Sequence, residues 1–122
     1  MAGDMAMVAV DSLLRKADEH YNAGHLEPAA LLCGDILLAH PDHIPTLHLA
    51  AAIAFSANRV TEGTDLLGRL FDLDPDHVPA LIMLADALAV KGDRDSAVAV
   101  FQRAINLRPR DVGLHAKLGA CP

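Results

Sequence analysis

The sequence predicts an all-α fold, an α-solenoid built from three helical hairpins with a partial fourth unit. Three observations carry this. First, Pro41-Asp42-His43, Pro75-Asp76-His77 and Pro109-Arg110-Asp111 begin 34 residues apart. A fixed period of that length marks stacked hairpins. Second, Gly24, Asn58 and Gly92 recur at the same interval between the prolines, and these residue types tolerate the left-handed conformation that ends a helix. Third, apolar residues make up 52% of the chain, yet aromatics are only 3% and Trp is absent. Ala and Leu fill the quota, and they favour helices over strands.

Residues 1–9 are expected to extend the first helix back toward Asp4, because Met5 to Val10 contains no breaker. The repeating units then run 10–43, 44–77 and 78–111, and 112–122 form a partial fourth repeat or a short capping helix. The punctuation places helices at about 10–23, 26–39, 44–57, 60–73, 78–91 and 94–107, with a seventh at about 112–120. Asp42 and Asp76 are the expected N-caps of the third and fifth helices. Pro28, Pro45 and Pro79 fall in first turns, where a missing N–H costs little.

Aligning the units aligns side-chain sizes. The fourth position reads Leu13, Leu47, Leu81 and the twenty-fourth Cys33, Leu67, Phe101, large enough to fill a core. The eighth reads Ala17, Ala51, Ala85 and the twentieth Ala29, Gly63, Ala97. Small residues at these places let the two helices of a hairpin approach closely.

The net charge of −6 is the wrong sign for a nucleic-acid binder. It is unevenly spread. Residues 1–76 carry 12 acids and 4 bases, a net −8, whereas 77–122 carry 4 acids and 6 bases, a net +2. The opening MAGDMAMVAV has no basic stretch, and no apolar run reaches membrane-spanning length, so neither a signal peptide nor a membrane partner is expected and the cytoplasm is the default location.

Seven histidines invite a metal hypothesis, but His40, His43 and His77 lack a completing Cys or carboxylate at ligand spacing. Asp72, Asp74 and Asp76 alternate as in a calcium loop, yet the required Gly and the bidentate Glu are missing and Pro75 interrupts. Cys33 reads as a packed thiol and Cys121 as a terminal one, not as a disulfide framework. With no phosphate loop, nucleophile elbow or dinucleotide fingerprint, no enzymatic activity, cofactor or metal is expected.

The pattern resembles the tetratricopeptide repeat family. Leu81, Leu84, Ala85, Leu88, Gly92, Ala97, Phe101, Ala104 and Pro109 of the third unit all fall on motif positions. The second unit departs at Gly63 and Leu70, and the first at Lys16 and His20. The resemblance implies a right-handed superhelix whose first helix in each hairpin lines a concave face. On that basis the groove residues are Leu14, Asp18 and Tyr21; His48, Leu49, Ala52 and Phe55; and Ile82, Met83, Asp86, Ala89 and Val90. Asp11 joins Asp18 and Asp86 at the edge. The family subset that clamps chaperone C-termini uses Lys, Asn, Asn, Lys and Arg. This chain has Leu14, Asp18, Leu49, Pro79 and Met83 there, so that reading is rejected. The expected partner is a protein or peptide, helical or extended, held in an apolar, acid-edged groove. A second copy of the chain and the remainder of a longer chain are alternative occupants. An incomplete fourth unit leads to the expectation that the chain is a fragment of a longer protein, such as a bacterial glycosyltransferase or sulfotransferase, or pairs with itself.

Overall fold

The computed structural model describes the backbone of residues 2–111 and the side chains of residues 9–111. All regular structure among them is helical: α1 Ala2–Asn22, α2 Leu26–Ala39, α3 Ile44–Ser56, α4 Val60–Leu73, α5 Val78–Lys91 and α6 Arg94–Leu107. The first helix reaches back past Asp4, and the seventh expected helix lies outside the described residues. The chain divides into two compact units, Met1–Leu73 and Asp74–Pro122. In the first, α1 pairs with α2 and α3 with α4, and α3 packs on α2 and touches α1. In the second, α5 pairs with α6.

The tight turn inside each hairpin repeats atom for atom. Gly24, Asn58 and Gly92 have φ of 85°, 62° and 94°. The next residue's amide then reaches back five residues, from His25 to the His20 carbonyl, Arg59 to Ala54 and Asp93 to Leu88. This satisfies carbonyls that a helix end leaves orphaned. A positive φ is therefore demanded at the residue types the repeat supplies.

The turns at the prolines correct one expectation. The N-caps of α3 and α5 are His43 and His77, not Asp42 and Asp76. Pro45 and Pro79 leave the second helical position without an N–H, so the amide of the third is the one left to bind. The His77 Nδ1 accepts it from Ala80 at 3.2 Å. In α3 that position is Thr46, and its hydroxyl pairs with the His43 Nδ1 at 2.6 Å instead. Thr46 is fully buried, so its hydroxyl needs this partner. Asp76 anchors a cross-hairpin contact instead. Its Oδ1, with the Pro75 carbonyl, receives the Arg103 guanidinium at 3.2 and 3.0 Å. Arg69 reaches the Pro41 carbonyl in the same way, at 3.3 Å and 34 residues earlier. Each arginine lashes the second helix of a hairpin to the loop that begins the first.

Fully or almost fully buried side chains include Ile36, Leu47, Leu67, Leu70 and Phe101. Each contributes roughly 1.5–3 kcal/mol relative to an exposed position. Leu70 is larger than the motif favours but is accommodated without exposure. Lys16 is exposed and His20 half-buried, so neither departure puts a fully buried polar side chain in the core.

Two glycine substitutions are expected to act in opposite directions. Gly92→Ala forces an alanine to φ of 94° and should cost about 1 kcal/mol. Gly68→Ala, in an exposed stretch of α4 with open space around it, should stabilise by about 0.5–1 kcal/mol. Urea-denaturation midpoints of the two variants check both signs.

Candidate functional site

α3 is the organising element. Its sequence, IPTLHLAAAIAFS, contains no Lys, Arg, Asp or Glu. At about 100° per residue, His48, Ala52, Phe55 and Ser56 share one side of the helix. Ala50, Ile53, Ala54 and Ala57 share the opposite side.

On the first side α3 meets α1. The Tyr21 hydroxyl lies 3.2 Å from the Ser56 Oγ and ties the two helices together. Leu14 and Tyr21 are half-buried against the cluster of Ala17, Ala29, Cys33, Leu49 and Ile53. Leu49, a groove residue by its repeat position, is instead 8% exposed and belongs to this core, because it points between α1 and α2 and not away from them. Phe55 is also partly withdrawn. A methyl group added at Gly63 would fall 2.8 Å from two of its ring carbons, so the ring packs directly against α4. That contact explains the second unit's departure from alanine at position twenty. Ala52 and His48 are half-buried, and Asp11 and Asp18 are exposed at the edge.

The residues expected on α5 belong to the second unit. There Ile82, Met83 and Ala89 are half-buried, Asp86 is exposed, and Val90 is 90% exposed.

On the opposite side of α3 lies a cleft that sequence reasoning missed. Its floor is Ala50, Ala54 and Ala57, and its walls include Gly34 of α2 and Leu66 of α4. The enclosed part holds about 100 Å³. Arg59 and Glu62 stand at its lip, 3.8 Å apart. The cleft continues outward past Glu27, Ala30 and Leu31. The signal was available in the aligned repeats: positions seven, eleven and fourteen are Ala50, Ala54 and Ala57 here but Leu84, Leu88 and Lys91 one unit later.

Among the described residues no group of three or more His, Cys, Asp or Glu is arranged to hold a metal ion. No described helix is long and apolar enough to cross a membrane. The Asp74 carboxylate accepts the Asp76 amide at 3.3 Å, a turn-forming use of the aspartate series. Cys33 is buried, and desolvation pushes its thiol up from 9.0 to about 11. A neutral thiol in this position is a packing group, not a nucleophile.

A family model described as tetratricopeptide repeat matches residues 54–121. No curated protein matches the chain in sequence. Among solved structures, the chain is similar to a mutant O-GlcNAc transferase from Thermobaculum terrenum, with a TM-score of 0.84 and 24% identity over 93% of this chain and 22% of that one. It is also similar to the Arabidopsis OM64 TPR domain, with a TM-score of 0.83 and 15% identity over 93% of this chain and 94% of that one. A third likeness is to the first TPR of Spaghetti (RPAP3) bound to an HSP90 peptide, with a TM-score of 0.82 and 14% identity over 90% and 87% of the two chains. At these identities the likeness shows the fold. The chain spans about a fifth of the transferase's length.

Two measurements probe this neighbourhood. Gly63→Ala should destabilise the wild type but stabilise a Phe55→Ala background by about 0.5–1 kcal/mol, because the ring is the nearest group opposing the gain in helix propensity. A double-mutant cycle by chemical denaturation reads the coupling, and additive effects would contradict the ring contact. For Cys33, the unfolded thiol ionises near pH 9 and the folded one near 11. Its contribution should therefore be complete below pH 9 and decline by about 1.4 kcal/mol per unit between 9 and 11. The stability difference between wild type and Cys33→Ala, followed across that window, isolates the effect.

Proposed function

The chain belongs to the tetratricopeptide repeat family, and from that premise we propose that it is a protein-interaction module that holds a helical or extended peptide on the shared face of α1 and α3. The observation that carries this reading is the pre-organised junction at Tyr21 and Ser56. Their hydrogen bond ties α1 to α3 at an exposed point of that face. Ala52, a small side chain, sits half-buried on the same side of α3 as the half-buried His48 and Phe55. Asp11 and Asp18 line the border, and residues 1–76 carry a net −8. A peptide with one or two apolar anchors and flanking Lys or Arg complements such a surface in shape and charge. In the second unit, Ile82, Met83 and Ala89 with Asp86 offer a surface of the same chemistry.

A second reading makes the chain the non-catalytic recognition arm of a larger glycosyltransferase. The observation in its favour is the likeness to 22% of the Thermobaculum terrenum transferase. Both readings assign the chain a binding role and no chemistry of its own.

Selection from a random peptide library on the immobilised chain tests the face. Enriched sequences should combine apolar and basic residues. Ala52→Glu, a substitution at a half-buried position, should weaken the winners by at least about tenfold while far-ultraviolet circular dichroism stays unchanged. Winners that bind Ala52→Glu as well as the wild type would sink the assignment.

A further inference from the structure

The three repeats serve as controls for one another on their outer surface. Position twenty-two is Leu31, Asp65 and Ala99, and position twenty-nine is Leu38, Asp72 and Asn106. All six are exposed. The second and third repeats place acidic, small or amide residues there, as solvent contact favours. The first repeat alone places leucines, 72% and 85% exposed. They are seven residues apart, so they share one face of α2. Gly34 lies between them, exposed and with nothing within 4 Å of an added methyl, which leaves room for another backbone to approach. The cleft floored by Ala50, Ala54 and Ala57 opens beside this face, with Leu31 on its outer rim. Stripe and cleft thus adjoin on the side of α3 opposite Ala52, an apolar surface edged by Glu27 and by the Arg59–Glu62 pair.

We propose that this outer surface docks a basic amphipathic helix from another protein. The commitment rests on charge. The charged residues of α2 are Glu27 and Asp35, both exposed, and the helix has no Lys or Arg. A partner helix with apolar residues spaced i, i+3, i+4 and i+7 packs Leu31 and Leu38 against Gly34. Lysines or arginines on its flanks meet Glu27 and Asp35. A second copy of the chain fits worse: α2 against its twofold mate sets acidic residues across from acidic residues, and like charges across an interface suppress pairing. The outer site is separate from the α1–α3 face and does not rest on it.

The test uses two synthetic helices of the same apolar pattern, one with lysines on its flanks and one with glutamates at the same places. Each is titrated into the full isotope-labelled chain and followed by amide NMR. The lysine helix should shift Leu31, Gly34, Leu38 and Arg59 and leave Ala52 and Ser56 unmoved. Joint substitution Leu31→Ser and Leu38→Ser, at exposed positions, should weaken it at least about tenfold. The glutamate helix should not bind. Ala52→Glu should leave the lysine helix's affinity unchanged, which separates failure here from failure of the inner-face reading. The proposal is overturned if the double serine variant binds equally, if both helices bind alike, or if the shifts map to the α1–α3 face. It is also overturned if sedimentation velocity shows a dimer of the chain alone that the double serine variant dissociates, since the occupant is then a second copy.

Discussion

Each hairpin closes where two side chains are almost absent. Ala17 and Ala29, Ala51 and Gly63, and Ala85 and Ala97 are all buried. Their spacing in the repeat puts one on each helix of a pair. Close approach of the helix backbones lets the larger neighbours, Leu47, Leu67 and Phe101 among them, pack at interior density. A side chain larger than alanine at any of these places would force the helices apart and unseat that packing. The left-handed residues at Gly24, Asn58 and Gly92 serve the same end, since only a turn that tight returns the chain soon enough for the small residues to meet.

That constraint fixes α3 from three directions. It is paired with α4, stacked on α2 and tied to α1 through Ser56. A helix so enclosed leaves little solvated surface on which charge is needed, in keeping with a run of thirteen residues without Lys, Arg, Asp or Glu. Enclosure is incomplete at two places only because alanines stand where larger residues would fill the space. Ala52 is half-buried on the side that α3 turns to α1. Ala50, Ala54 and Ala57 leave the cleft on the other side. The same economy of side-chain volume that brings helices together thus also creates the surfaces available for binding.

The helices and their turns were legible in the sequence because both depend on local rules: the backbone conformation at Gly24, Asn58 and Gly92, and the lost donors at Pro45 and Pro79. The cap residues were misplaced by one because the proline at the second helical position redirects the cap bond to the third amide, so the ring of His77 and not the carboxylate of Asp76 lies in reach. The candidate face was less legible, for a tertiary reason. A helical position fixes a direction, but whether that direction ends in solvent depends on the neighbour. Leu49 packs at the junction of α1 and α2 and is buried there, whereas Leu38, equally apolar by residue type, is left outside. Phe55 was drawn toward α4 by the missing methyl of Gly63, a coupling visible only once the two residues are seen to touch.

An exposed pair of leucines is ordinarily an aggregation hazard. Here its flanks limit the hazard and narrow the set of partners at the same time. Glu27 and Asp35 sit close enough to Leu31 and Leu38 that anything covering the leucines must also face the carboxylates. A neutral or acidic apolar surface, including this chain's own, gains the burial but strands the charges, and a desolvated unpaired carboxylate costs more than an exposed leucine. A basic helix gains both. Selectivity of this kind needs no deep pocket. It follows from placing apolar and acidic residues on one helical face in a unit whose overall charge is already negative.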